Sequence, residues 1–318
     1  MSAKYVAMVN PLFWRWGSRA LMIAGLAWVG YLLITTVEDP ARFIPDNMTW
    51  LVAATGLVAL SMAANIWLFT LFLHTEPKRC YHFLLVVKLS VVGQLLRYLP
   101  GRFWGIAYQI SAAREYIPAM HLARANIDLM VFSLFGSVIV ALVLLGRQWG
   151  WPWGVLVALS TLGIVLLSGL FLGGANWLLR VFACYLPNKA RRILDELAIG
   201  QPTVSRLVLI ITIFIGGWIL YLAAWNLLGL VFYNFSNVNF TILCALYTLA
   251  SIIGIVSALT PAGLGVREAA FIVLATGSTT QEAAAFFAVF GRIWLMLIEV
   301  IILIIVVSFL SITKKANE

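Results

Sequence analysis

Ser257-Ala258-Leu259-Thr260-Pro261-Ala262-Gly263-Leu264-Gly265-Val266-Arg267-Glu268 interrupts an apolar stretch that reaches from about Phe240 to Thr276. Pro261 supplies no backbone N–H and its ring obstructs the carbonyl one turn earlier, so a helix entering this segment has to break. Thr260, Gly263 and Gly265 suit an unwound segment, and Arg267 and Glu268 fall in the first turn of the helix that resumes. There Arg267 can clamp a phosphate bidentately, with Glu268 either positioning it or capping the helix. The plainer alternative is an Arg267–Glu268 pair on the surface.

The rest of the chain places this break in a bilayer. Of 318 residues, 63% are hydrophobic and 10% charged, with a mean hydropathy of +1.01, well outside the composition of soluble domains. Six apolar runs are long enough to cross as helices: about Ala20 to Val37, Trp50 to Leu73, Ile127 to Leu145, Pro152 to Leu172, Leu207 to Phe232 and Phe286 to Leu310. They are too continuous for barrel strands, which alternate. Trp14, Trp16, Trp50, Trp149, Trp151 and Trp153 lie beside run ends, where indole rings anchor at the interface. The first run follows Lys4, Arg15 and Arg19 but leads into Glu38, Asp39 and Pro40 rather than a small-residue cleavage site, so it reads as a retained anchor.

A second interrupted stretch, about Tyr81 to Tyr116, carries Arg97-Tyr98-Leu99-Pro100-Gly101-Arg102-Phe103-Trp104-Gly105. Pro100 forces the break, Gly101 and Gly105 allow close backbone approach, and Arg102 sets a permanent cation beside amides that favour an anion. Alternatively this is a cytoplasmic turn whose arginines follow the positive-inside bias. That bias places four segments in the cytoplasm: the N-terminal arm, the Lys78-Arg79 link, the region with Lys189, Arg191 and Arg192, and the tail with Lys314 and Lys315. The Tyr81 to Tyr116 stretch then starts and finishes inside, and the Phe240 to Thr276 stretch starts and finishes outside. Each does so as a re-entrant hairpin or as two short crossings.

Ser90-Val91-Val92-Gly93 precedes Pro100, and Ser251-Ile252-Ile253-Gly254 precedes Pro261, with the same spacing of seven residues from Gly to Pro. The expected fold is therefore an all-α polytopic membrane protein, with about six full transmembrane helices and two Pro/Gly-broken hairpins in an inverted repeat. One integral domain covers 1–318: an N-terminal half over 19–175 with its break at 97–105, a cytoplasmic linker over 180–205, and a C-terminal half over 206–311 with its break at 257–268.

In the last run Arg292 and Glu299 stand seven residues apart on one helix face, next to Gly291. Glu299 is the candidate for a proton or cation coupling group; a buried structural pair with another helix is the alternative. Asn65, Lys88, Gln94, Asn126 and Asp128 are further lining candidates. The net charge of +9 is spread over short links between apolar runs, which points to orientation and anionic lipid rather than nucleic acid. Cys80, Cys184 and Cys244 are isolated and His74, His82 and His121 lack ligand spacing, so neither metal nor cofactor is expected. No catalytic motif stands out, and the polar segment from about Arg180 to Arg206 is too short to fold alone. An enzyme built on this chain would need its whole site within the membrane.

At both breaks the sequence resembles the lysylphosphatidylglycerol synthase transmembrane-region family, a flippase-like membrane domain found alone or fused to an aminoacyl-transfer domain. Thr260-Pro261-Ala262-Gly263-Leu264-Gly265-Val266-Arg267-Glu268-Ala269-Ala270 is similar to that family's C-terminal motif almost residue for residue. Tyr98-Leu99-Pro100-Gly101-Arg102-Phe103-Trp104 resembles its N-terminal motif in members associated with glycosyltransferase genes. The commoner form has a Gly-Glu pair after the proline; here Gly105 is followed by Ile106. Nothing after the last run resembles the aminoacyl-transfer domain, so lipid aminoacylation is not expected. The resemblance implies movement of a charged lipid, phospholipid or polyprenyl-linked, between leaflets of the cytoplasmic membrane, with both termini cytoplasmic. Pro100, Gly101, Arg102, Thr260, Gly263, Gly265, Arg267 and Glu268 would bind the head group. The alternatives are an intramembrane enzyme using Glu268 or Glu299 on polyprenyl-phosphate, and a non-transporting partner of a glycosyltransferase or lipid-modifying enzyme.

Overall fold

The computed structural model describes residues 44–73, 83–96, 104–169, 203–232, 235, 238–257, 263 and 265–316. Ala20 to Val37, most of the first break, Thr260 and Pro261, and nearly all of the 180–205 linker lie outside the described residues. Within them the chain is helical: α1 Met48–Leu73, α2 Phe83–Leu96, α3 Trp104–Ala113, α4 Ala119–Gln148, α5 Trp153–Gly169, α6 Val204–Val231, α7 Phe240–Ser257, α8 Val266–Ala275 and α9 Gln281–Ala316.

Among the described residues, α1, α4, α6 and α9 are long and apolar enough to cross a membrane. Four of the six expected crossings thus appear as helices of at least 26 residues. The run from Pro152 yields α5, helical over all of its described residues to Gly169. Hydroxyls inside these apolar helices are satisfied locally: Thr55, Thr70, Ser160, Thr212 and Thr248 each donate to the carbonyl four residues earlier. Each bond removes a polar group that lipid would not solvate.

Among the described helices, the most extensive pair is α1 with α6. Small residues let the two backbones approach: Ser61 Oγ donates to the Gly217 carbonyl at 2.9 Å, and a Cβ on Gly217 would lie 3.4 Å from that of Ala64. This is the small-residue seam that draws membrane helices together without a hydrophobic driving force. One buried core lies on each side of it. Phe69, Phe72, Leu89, Leu122 and Phe132 belong to the first, Trp225, Phe232, Tyr247, Phe271 and Phe287 to the second. Trp294 Nε1 on α9 donates to Thr55 Oγ1 on α1 at 2.9 Å, tying α9 to α1 beside the second core.

The contacts on the two sides correspond. In each half the two helices around the break pack together, α2 on α3 and α7 on α8, and the second then packs on the following long helix, α3 on α4 and α8 on α9. The first helix of each break reaches across, α2 to α9 and α7 to α4. Glycines close both breaks. A Cβ on Gly105 would lie 2.5 Å from the Gly93 carbonyl oxygen, and one on Gly263 would lie 2.9 Å from Gly254 Cα. Gly254 also lies against Arg267, with a Cβ there 3.0 Å from that of Arg267.

Gly105→Leu is expected to separate α2 from α3 and lower stability by about 1–3 kcal/mol, the usual cost of forced overpacking. Gly56→Ala, where an added Cβ meets nothing within 4 Å, is the control and should melt at or above the wild-type temperature. Thermal unfolding of the two variants in one detergent compares them directly.

Candidate functional site

The second break is built around the start of α8. Gly263 and Gly265 have φ of +71° and +82°, in the left-handed region that a side chain disfavours, and they turn the chain into the helix. Glu268 occupies the third position of α8. Its Oε2 accepts the Gly265 N–H at 2.7 Å, satisfying one of the amides a helix start leaves without a partner. Its other oxygen lies 4.0 Å from Arg292 Nε on α9. Glu268 is 4% exposed and Arg292 6%, so each charge is compensated mainly by the protein around it. One carboxylate therefore caps α8 and ties it to α9.

Arg267 turns the other way. Its guanidinium carbon lies 4.1 Å from the centroid of the Tyr247 ring on α7, and its Nε is buried without a hydrogen-bond partner among the described residues. The Tyr247 ring is held in turn by Trp225 and Phe271, with centroids at 5.0 and 5.4 Å. On α9, Gly291 leaves room for it: a Cβ there would lie 3.1 Å from the ring. The surface pair of Arg267 with Glu268 does not form, because Glu268 is occupied below the surface by Gly265 and Arg292.

The structure thus brings together Gly263, Gly265, Arg267, Glu268 and Arg292. Pro100, Gly101, Arg102 and Thr260 lie outside the described residues. Glu299, 6% exposed, lines a narrow void with Gln94, Met62, Ile66, Val91 and Ile302, where α1, α2 and α9 meet. Asp128 belongs to neither place, since it pairs at 3.2 Å with Arg124, one turn earlier on α4. Asn65 and Lys88 are exposed. Asn126 donates to Gln109 Oε1 at 2.6 Å, and Gln109 Nε2 donates to the Leu89 carbonyl at 3.1 Å. This buried amide bridge holds α2, α3 and α4 together.

Gln109 and Tyr247 are the residues that reading the sequence missed. A glutamine in an otherwise apolar stretch was a visible signal; Tyr247 was one aromatic among many. A cavity of about 220 Å³ lies between α4, α5 and α6, lined by Phe132, Ile139, Phe214 and other mostly apolar residues, with Ser160 as its polar member. It shares no residue with the charged cluster and offers no chemistry. No group of three or more His, Cys, Asp or Glu suited to a metal occurs among the described residues.

With two arginines against one carboxylate in an apolar surround, the cluster can attract an anion at the start of α8, where the helix dipole adds its own partial positive charge. Comparison of the chain with protein-family models, with curated proteins and with solved structures gave no match.

Glu268→Ala removes both the cap and the partner of Arg292, and should lower stability by about 3 kcal/mol, the range for breaking a buried pair. Glu268→Gln keeps an oxygen for the Gly265 N–H and should cost less than half as much. Melting curves of the purified variants distinguish the two.

Proposed function

We propose that the chain is a flippase-like transporter that moves an anionic or charged-head-group lipid, a phospholipid or a polyprenyl-linked one, between the leaflets of the cytoplasmic membrane. The observation that carries this reading is the charged cluster at the start of α8: an arginine on an aromatic ring at a helix break, among helices long and apolar enough to span. An arginine so placed suits a phosphate head group, while the lipid tails remain in the bilayer.

The exchange of contacts between halves, α2 with α9 and α7 with α4, supports an inverted repeat whose two breaks face the membrane from opposite sides. Helix α8, capped at Gly265 and Thr276, has 10 residues, about 15 Å at about 1.5 Å per residue, which supports a re-entrant hairpin over paired full crossings at the second break. In this arrangement both termini are cytoplasmic. Arg102 at the first break and Arg267 at the second receive the head group from opposite leaflets, in line with the resemblance to the lysylphosphatidylglycerol synthase transmembrane region. Glu299 beside Gln94 is the candidate coupling group.

The enzymatic alternative finds less support at Glu268, which is 4% exposed and has one oxygen on the Gly265 N–H and the other beside Arg292.

Arg267→Ala and Arg102→Ala should each slow leaflet exchange of fluorescent phosphatidylglycerol in proteoliposomes by about tenfold to a hundredfold, the loss of one or two charge-assisted hydrogen bonds. Unchanged exchange in both variants would sink the reading. A covalent change in the extracted lipid would favour the enzyme. Loss of a glycosyltransferase's activity without any lipid movement would favour the non-transporting partner.

A further inference from the structure

The two arginines of the cluster are used differently. Arg292 Nε faces the Glu268 carboxylate at 4.0 Å, whereas Arg267 rests on a ring face at 4.1 Å. A guanidinium on an aromatic face is held by the ring's quadrupole, and the contact uses none of its N–H groups. Those donors lie in the plane of the group, in the fork that matches two oxygens of a phosphate. Lysine has no such plane, so charge alone does not reproduce the arrangement.

Tyr247 itself has little freedom to move. Trp225 and Phe271 pack on it at 5.0 and 5.4 Å, and Gly291 brings the α9 backbone so close that a Cβ would lie 3.1 Å from the ring. An arginine on a fixed ring is held in place before any ligand arrives, which reduces the ordering cost of binding. The buried Arg267 Nε has no hydrogen-bond partner among the described residues, and a buried donor without an acceptor is unfavourable until an acceptor reaches it.

We propose that Tyr247 is the positioning residue for Arg267, seated by Gly291, and that this seat makes Arg267 a bidentate receptor for the two unsubstituted oxygens of a phosphate ester. That chemistry is common to a phospholipid, a polyprenyl-phosphate and free phosphate. The proposal rests on the reading of Arg267 as a head-group ligand.

The test uses the full chain, purified in detergent. Retention of phosphatidylglycerol is measured by native mass spectrometry against a phosphate-free galactosyl diacylglycerol, with inorganic phosphate as competitor. Leaflet exchange is measured on the same preparations in proteoliposomes. Tyr247→Leu and Gly291→Ala should weaken phosphatidylglycerol retention about tenfold, as expected for losing a desolvated cation–π contact, and leave galactolipid retention unchanged. Tyr247→Phe, which keeps the ring, should recover binding to within about threefold of wild type, and Arg267→Lys should bind poorly despite its charge. In an Arg267→Ala background, Tyr247→Leu should cost nothing further, because the pair acts as one unit.

Displacement by inorganic phosphate identifies the seat as one for free phosphate, and resistance to it identifies a lipid head group; the receptor stands in both cases. Tyr247→Leu binding like wild type, equal losses for the galactolipid, or additive losses with Arg267→Ala would each overturn it. If the wild type retains lipid in the expected pattern but moves none, the transport reading fails and the receptor stands. If the wild type moves lipid and Tyr247→Leu moves it equally well, the receptor fails and the transport reading stands.

Discussion

A helix that starts in apolar surroundings presents amide groups to a medium that cannot solvate them, and Glu268 is this chain's answer at the start of α8. Its carboxylate accepts the Gly265 N–H while its other oxygen is turned to Arg292. The remaining features of the site follow from that arrangement. With Glu268 committed below, Arg267 has no neighbouring carboxylate to fold onto and lies on Tyr247 instead. Because Arg292 belongs to α9, the start of α8 is tied to a long helix.

The turn ahead of α8 was legible in the sequence because glycine acts on the backbone directly. Helices α2 and α3 pack on each other on either side of the Pro100-Gly101 segment, and ahead of α8 Gly263 and Gly265 turn the chain with positive φ. Helix starts were less legible. α4 begins at Ala119 rather than near Ile127, carried outward by a polar first section that includes the Arg124–Asp128 pair. α9 begins at Gln281 rather than Phe286, where Thr280 Oγ1 accepts the Ala283 N–H. An apolar-run reading cannot see such turns, because their stability comes from hydrogen bonds and ion pairs rather than hydropathy.

At the site, spacing was enough to find Arg267 and Glu268 but not to choose between a surface pair and a cap. That choice depended on Arg292, 24 positions further along the chain, which competes for the same carboxylate. Asp128, read as a lining group, is satisfied by an arginine on its own helix. Gln109 and Asn126 meet across two helices, so neither alone signals the bridge they make.

The helix pairs α2–α3 and α7–α8 each meet at a small residue, with different partners. In the first, Gly105 lies against Gly93; in the second, Arg267 lies against Gly254. What the halves share is the small residue on the entering helix, which sets how near the returning helix can come. What differs is whether the returning helix carries a charge at that point. Close approach and charge are therefore set by different residues: Gly93 and Gly254 govern how near the facing helix comes, and Arg267 alone sets the charge presented at the second contact.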